Sequence, residues 1–138
     1  MGKIVIKSIE RPREENPDAI IRWFCKVFDL DSEIETELMK KFISAARRNK
    51  PITSSELSFS SIARSTVIYH LNRFIDAGLV VRKGRKYMFR GSSLSSLIEE
   101  MEYDINREMQ RMLDLAREFD SKESKKLEFN SKERKRLK

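Results

Sequence analysis

The chain has 138 residues, and its 29 Lys and Arg against 22 Asp and Glu give a formal net charge of +7. This length allows one domain with appendages and a modest core, and the basic balance indicates a polyanionic partner. One cysteine, Cys25, excludes an intrachain disulfide framework and fits a reducing compartment, and no segment is apolar enough to span a membrane. We therefore expect a cytoplasmic protein with no membrane partner.

The positive charge is concentrated in two segments. Residues 47–90 carry ten Lys or Arg and two acids, and residues 121–138 carry eight Lys or Arg and three acids. Between them, residues 91–120 carry three Arg and eight acids. Positive charge therefore lies on residues 47–90 and on the tail, and not along the whole chain.

The first half of the chain predicts a short strand followed by helices. Residues 3–9 form a β-type run that could be an edge strand. Asn16 followed by Pro17 is typical of a helix start, and the apolar spacing predicts a helix over 17–29. Asp31 or Ser32 can cap a second helix that reaches about residue 49. Thr53 and Glu56 match a capping box, which predicts a third helix in a serine-rich segment.

Residues 64–90 predict a helix that leads into a β-hairpin. Val67, Leu71 and Phe74 recur at helical spacing, and Gly78 is a typical left-handed helix stop. Ser65 or Thr66 can cap this helix, and His70 beside the apolar face is interpreted as a packed or hydrogen-bonded core residue. Two strand-like runs then flank a glycine-containing turn that carries four cations.

The segment STVIYHLNRFIDAGLVVRKGRKYMFR resembles the recognition helix and wing of winged helix-turn-helix transcription regulators of the broad ArsR-like type. The resemblance covers roughly residues 34–90. The serine-rich segment departs from the family pattern, because it is about one residue short before Arg64 and has no glycine in the turn. The resemblance implies a winged helix fold and binding of double-stranded DNA.

The resemblance also implies which side chains contact DNA. Polar groups on the exposed face of the helix are expected to enter the major groove, and the cations of the hairpin are expected to contact phosphates or the minor groove. The predicted recognition-helix contacts are Arg64, Ser65, Thr66, Tyr69, Asn72 and Arg73, and the predicted wing contacts are Arg82, Lys83, Arg85 and Lys86.

A long helix is predicted after the hairpin, over about residues 94–119. Its apolar residues recur at steps of three and four, which is a heptad-like seam with one stutter. The seam residues are Leu94, Ile98, Met101, Ile105, Met109, Met112, Ala116 and Phe119. This seam predicts a homodimer, and folding back onto the N-terminal helix of the same chain is the alternative. The charged tail from residue 121 is expected to be disordered, with a nonspecific DNA contact as a second interpretation.

No enzymatic chemistry is indicated by the sequence. One His and one Cys are too few for a zinc site, the metal-binding cysteine motif of metal-sensing ArsR-like proteins has no match, and the four glycines form no phosphate-binding loop. We expect no catalytic residue, no metal and no cofactor.

The predicted fold class is mainly α with a small β-hairpin wing, an α+β winged helix-turn-helix with a long C-terminal helix. The predicted organisation is an N-terminal arm over 1–15, a DNA-binding domain over 16–91, a dimerisation helix over 92–120 and a basic tail over 121–138. The predicted function is a homodimeric transcription regulator that binds double-stranded DNA sequence-specifically. A protein-interaction adaptor of transcription or chromosome machinery, or an RNA-binding winged helix, remains open, because the fold alone does not determine the partner.

Overall fold

A computed structural model describes residues 2–59 and 61–137, with side chains described as far as Glu123. The chain is mainly helical with a small sheet, as the sequence predicts. In order, the elements are α1 (Pro17–Val27), α2 (Glu33–Arg47), β1 (Ile52–Thr53), α3 (Arg64–Asp76), β2 (Val80–Lys83), β3 (Lys86–Phe89) and α4 (Leu94–Leu137). The chain divides into two compact units, residues 1–100 and 101–138.

Side-chain caps begin the first two helices. The Oδ1 atom of Asn16 accepts a hydrogen bond from the backbone N–H of Ala19 at 2.8 Å, and Pro17 occupies the first helical position. At α2, Ser32 accepts from the N–H of Glu35 at 3.1 Å, and the Glu35 carboxylate accepts from the N–H of Ser32 at 3.4 Å. Both predicted helices are confirmed, and α2 begins with the reciprocal capping box.

The sheet has three antiparallel strands in the order β1-β3-β2. In the predicted hairpin, Lys83 pairs with Lys86, so Gly84 and Arg85 form a two-residue turn. Gly84 has φ +63°, a left-handed conformation that glycine adopts at no steric cost. On the other side of β3, Ile52 pairs with Tyr87, which adds a short third strand to the hairpin.

The helix predicted from the Thr53–Glu56 capping box is wrong. Thr53 ends β1, and the N–H of Glu56 donates to the backbone carbonyl of Thr53 at 3.1 Å, while the Thr53 hydroxyl lies 3.0 Å from the Ser55 hydroxyl. Serine side chains compete with helical backbone hydrogen bonds, and this segment forms successive turns in which Leu57 is buried.

Two other local predictions are also wrong. Residues 3–9 do not form a strand; the backbone N–H of Lys7 instead donates to the carbonyl of Val27 at 2.7 Å. The N-cap of α3 is Ala63, which makes no side-chain cap, so neither Ser65 nor Thr66 caps this helix. The predicted stop at Gly78 is confirmed, because Gly78 has φ +82° directly after the C-cap residue.

Aromatic side chains from α2, α3 and β3 meet in the core of the first unit. The ring of Phe42 lies 5.7 Å from that of Phe74 and 6.5 Å from that of Phe89, measured between centroids. Leu38 and Leu71 are fully buried beside them. These contacts fix the buried side of α3 and therefore determine which of its residues face solvent.

Helix α4 begins with a serine cap and ends later than predicted. The Ser93 hydroxyl accepts from the N–H of Ser96 at 3.1 Å, so a serine cap starts the helix as predicted. The helix continues to Leu137, beyond the predicted end at residue 119, so the expectation of a disordered tail is wrong. Residues 121–137 are rich in Lys, Glu and Arg, which favour helix. The predicted DNA contact of the tail falls on side chains outside the described ones.

Candidate nucleic-acid interface

The exposed face of α3 is polar. Ser65, Tyr69 and Asn72 follow one another at helical spacing on this face, with Thr66 beside them, and all four are exposed. The Tyr69 side chain is 58% exposed although it is large and aromatic. The face presents hydroxyl groups, one amide and one aromatic ring, and Asp76 ends the same row at the last residue of the helix.

One flank of α3, next to the polar face, is anchored to α2 by a buried carboxylate. Glu35 is only 2% exposed, and its Oε2 atom accepts a hydrogen bond from Nε of Arg73 at 2.7 Å. The Nδ1 atom of His70 lies 3.1 Å from the same oxygen and donates to it when it carries a proton. Arg73 also donates through Nη2 to the backbone carbonyl of Asp29 at 2.6 Å. One carboxylate thus connects the start of α2 to two residues of α3.

The charge of Glu35 is stabilised in this environment. Burial raises the pKa of the Glu35 carboxyl, but hydrogen bonds from His70, Arg73 and Ser32 favour the ionised form and bring the pKa below its ordinary value. The pKa of the Arg73 guanidinium shifts in the opposite direction, since the hydrogen bond to Glu35 raises it. The pair is therefore ionised at neutral pH.

This cluster changes the interpretation of Arg73. The sequence predicts that Arg73 contacts a base, but its side chain is half-buried and makes hydrogen bonds to Glu35 and Asp29. The sequence prediction missed Glu35 altogether, although Ser32-x-x-Glu35 matches a capping box at a helix start and could have marked this residue. The prediction that His70 is hydrogen-bonded is confirmed.

The hairpin presents cations on an exposed turn. Arg82, Lys83, Arg85 and Lys86 are all exposed, whereas Tyr87 and Phe89 on β3 are buried. Nε of Arg82 donates to the carbonyl of Gly84 at 2.8 Å, which braces the turn. Lys83 and Lys86 lie opposite each other in the strand register, so two like charges lie close together at the end of the hairpin.

A small cavity lies beside the first turn of α3, lined by polar side chains and by Ile62, Val67 and Ile68. Its volume is about 240 Å³, and its lining includes Ser54, Ser55, Ser58 and Arg64. Nη2 of Arg64 lies 3.5 Å from the Ser54 hydroxyl, and the remainder of this exposed side chain faces solvent. Because the N-cap of α3 makes no side-chain hydrogen bond, this helix start leaves backbone N–H groups for other acceptors.

A second cleft lies between the last turns of α2 and the segment that leads into β1. It has a volume of about 410 Å³, and its lining includes Lys40, Lys41, Arg48 and Lys50, with Glu56 as the acid. Lys40 is paired with Asp18 at 2.7 Å, and Nζ of Lys41 lies 4.4 Å from the centroid of the Phe59 ring. Nη2 of Arg48 also donates to the Ser44 hydroxyl at 2.8 Å, so three of these cations are already in contact with groups of the chain.

The predicted seam of α4 is half-buried or buried over Leu94, Ile98, Met101 and Ile105 and exposed from Met109 onward. Met109 is 54% exposed, Met112 is 64% exposed and Phe119 is 61% exposed, and Ala116 between them is also exposed. The part of the helix that carries these residues therefore has an apolar face in contact with solvent.

The described side chains include one cysteine and no cluster suited to a metal ion. Cys25 is fully buried, and burial, opposed by a hydrogen bond with Thr36, raises the pKa of its thiol to about 11. Among residues whose side chains are described, no group of three or more His, Cys, Asp or Glu is arranged to hold a metal ion.

Comparison of the chain with protein-family models, curated proteins and solved structures finds no match. Its function is therefore inferred from the geometry of its own residues. Within the described residues, none of the helices combines the length and apolar character that crossing a bilayer requires.

Proposed function

We propose that this protein is a homodimeric winged helix-turn-helix regulator that binds double-stranded DNA sequence-specifically. The observation that carries the proposal is the combination, within one compact unit, of an exposed polar helix face and an exposed hairpin turn with four cations. The order α2, β1, α3, β2 and β3 supports the resemblance, but turns lie between β1 and α3 where the resemblance predicts the positioning helix.

The exposed groups of α3 suit the edges of base pairs. The Asn72 amide can donate and accept at adenine, the hydroxyls of Ser65 and Thr66 can pair with several bases, and Tyr69 offers a ring and a phenol hydroxyl. Arg73 has a different role in this proposal. Its bonds to Glu35 hold α3 in position, so that Asn72 and Tyr69 keep a fixed orientation toward the groove.

The cations of the hairpin suit the phosphate backbone. Arg82, Lys83, Arg85 and Lys86 together supply a sequence-independent attraction that orients the protein on the duplex. Arg64 and the serine hydroxyls beside the start of α3 provide a second group of phosphate donors at the other end of the same helix. Phosphate contacts at both ends of α3 would fix its register in the groove.

Selection of bound fragments from random duplex DNA by the full-length protein tests this proposal. We expect one enriched sequence arranged as an inverted repeat, because a twofold dimer presents two copies of the same surface. Asn72→Ala should then lose about 1–3 kcal/mol on the selected duplex and almost nothing on a scrambled duplex. Gln110→Ala, which also removes an exposed helical amide, is the control and should bind both duplexes normally. Equal losses by both variants, or no enrichment, would refute base reading by α3.

A protein-interaction adaptor is the second candidate, and the exposed apolar face of α4 favours it. The two functions differ in what the purified protein binds alone. Salt-sensitive binding of duplex DNA supports the regulator, whereas binding of another protein without measurable DNA affinity supports the adaptor. Competition of the bound duplex by single-stranded DNA and by RNA distinguishes an RNA-binding winged helix.

A further inference from the structure

The middle of α4, residues 109–119, has more apolar surface than its seam accounts for. Besides Met109, Met112 and Phe119 on the seam, Leu113 is 41% exposed and Leu115 is 67% exposed. These two leucines lie on opposite flanks of the seam, one residue before and one residue after Asp114. The outer positions between residues 110 and 121 are all polar: Gln110, Arg111, Asp114, Arg117, Glu118 and Ser121.

We propose that this part of α4 pairs antiparallel with α4 of a second copy of the chain, with the twofold axis at the level of Asp114. The proposal rests on the homodimer of the proposed function and specifies its orientation and register. Three observations support it: the layers of the seam, the positions of the flanking leucines and the distribution of charge along the helix.

The seam forms complementary layers in this register. When one helix is reversed about residue 114, Met109 lies level with Phe119 of the partner subunit, and Met112 lies level with Ala116 of the partner subunit. Met112 then packs against a small side chain and Met109 against an aromatic ring, so neither layer places a residue against its own copy, as a parallel pair would. The layers use residues that are all exposed in the single chain.

The flanking leucines distinguish the two orientations. A twofold axis perpendicular to the helices brings the same flank of each helix together, so Leu113 meets Leu113 of the partner subunit and Leu115 meets Leu115 of the partner subunit. In a parallel pair, opposite flanks meet about five residues apart, so Glu108 faces Leu113 and Leu115 faces Asp120. Only the antiparallel pair places both leucines against apolar partners.

Charge favours the same orientation. Residues 91–120 carry three Arg and eight acids, and residues 121–138 carry eight Lys or Arg and three acids. Antiparallel pairing about residue 114 places residues 91–107, which carry four acids and one Arg, level with the basic segment of the other helix, with Glu108 near Lys122 of the partner subunit. Parallel pairing places like segments side by side, which is unfavourable at low salt.

Distance measurements between spin labels in the full-length protein test the orientation. Glu102→Cys and Lys122→Cys each place a label on an exposed position, and native Cys25 is fully buried and takes up no label. At 1.5 Å per residue, the antiparallel pair predicts axial label separations of about 36 Å at residue 102 and about 24 Å at residue 122. Equal short distances of under about 20 Å would establish a parallel pair, and absence of any dipolar signal would establish a monomer. Either result overturns the proposal.

Charge reversal tests the register independently. Glu108→Lys should weaken dimerisation about tenfold at low salt, because each dimer then contains two repulsive contacts with Lys122, and adding Lys122→Glu should restore it. Glu118→Lys makes the same change of charge on the outer face and is the control, with little effect expected. If the double substitution dimerises no better than Glu108→Lys, the proposed register is wrong.

These measurements are made without DNA. If the label separations agree with the antiparallel pair but the protein does not bind DNA, only the proposed function is refuted. If the protein binds DNA but the label separations disagree, only the antiparallel pair is refuted.

Discussion

Arg73 has a structural function that its position in the sequence does not suggest. It lies on the helix expected to read DNA, yet Nε donates at 2.7 Å to a carboxylate that is 2% exposed. The Arg73 side chain is itself 38% exposed, so its removal acts mainly by leaving the buried Glu35 carboxylate with fewer donors. Glu35 and Arg73 therefore determine how firmly α3 is held against α2.

Arg73→Ala is expected to lower the free energy of unfolding by about 2 kcal/mol, because Glu35 then stays buried with His70 and Ser32 as its remaining donors. Urea denaturation followed by circular dichroism measures this change. Asn72→Ala, which removes an exposed neighbour, should change the unfolding free energy by less than about 0.5 kcal/mol. A similar small effect of both substitutions would show that Arg73 does not anchor α3.

The lowered pKa of Glu35 also predicts how stability depends on pH. The unfolded carboxyl titrates near its ordinary value of 4.5 and the folded one below it, so the unfolded state binds more protons between these two values. The contribution of Glu35 is thus present above about pH 4.5 and is lost as the pH falls through the folded pKa.

Glu35→Gln should remove this dependence. The variant is expected to be less stable than the wild type at pH 7, and the difference should shrink as the pH falls below 4.5. Unfolding free energies measured by urea denaturation across pH 3–7 provide the test, with Glu37→Gln at an exposed position of the same helix as the control. A difference that does not change with pH would contradict the assignment of the lowered pKa to this cluster.

At the scale of helices and strands, the predictions from sequence are confirmed where the pattern is local. The helix starts at Asn16 and Ser32 and the glycine stop at Gly78 each depend on one or two residues with strong conformational preferences. The hairpin was predicted for the same reason, since Gly84 suits a two-residue turn between β-branched and aromatic runs.

The failures have a common physical cause. The Thr53–Glu56 pattern has the spacing of a capping box, but β1 pairing with β3 takes Thr53 into the sheet, and the serines then form turns. The bond between Arg73 and Glu35, which is 38 residues earlier in the chain, was likewise not predicted, and the DNA contact of Arg73 stays a prediction. A pattern read from neighbouring residues does not include such tertiary contacts.

The hairpin turn can be tested by itself. Gly84 has φ +63°, and a Cβ atom there would have no heavy atom within 4 Å, so Gly84→Ala changes only the backbone preference. We expect a loss of about 1 kcal/mol in unfolding free energy, measured by urea denaturation. Arg85→Ala in the same turn should cost less than about 0.5 kcal/mol, because Arg85 does not have a positive φ. Equal costs would mean that the turn does not require glycine.

At the scale of the whole molecule, charge and apolar surface are divided between segments. Residues 47–90 carry ten Lys or Arg and two acids and include the exposed hairpin, whereas the exposed apolar face lies on α4. In the proposed function, the first unit attracts the polyanion and the exposed face of α4 forms the dimer. Either proposal can be refuted without the other, because the tests substitute residues on different surfaces.

The salt dependence of DNA binding by the full-length protein tests the central claim most directly. Fluorescence anisotropy with the selected duplex gives the slope of log affinity against log salt for the wild type and for a variant with Arg82, Lys83, Arg85 and Lys86 replaced by Gln. A second variant with Lys3, Arg11, Arg13 and Lys26 replaced by Gln has the same net charge and is the control.

If the hairpin cations contact phosphates, the slope of log affinity against log salt for the hairpin variant should be smaller than the wild-type slope by about three to four units. The slope for the control variant should differ from the wild-type slope by less than about one unit. Equal slopes for the two variants, or no binding of duplex by the wild-type protein, would contradict the claim that α3 and the hairpin form a DNA-binding surface.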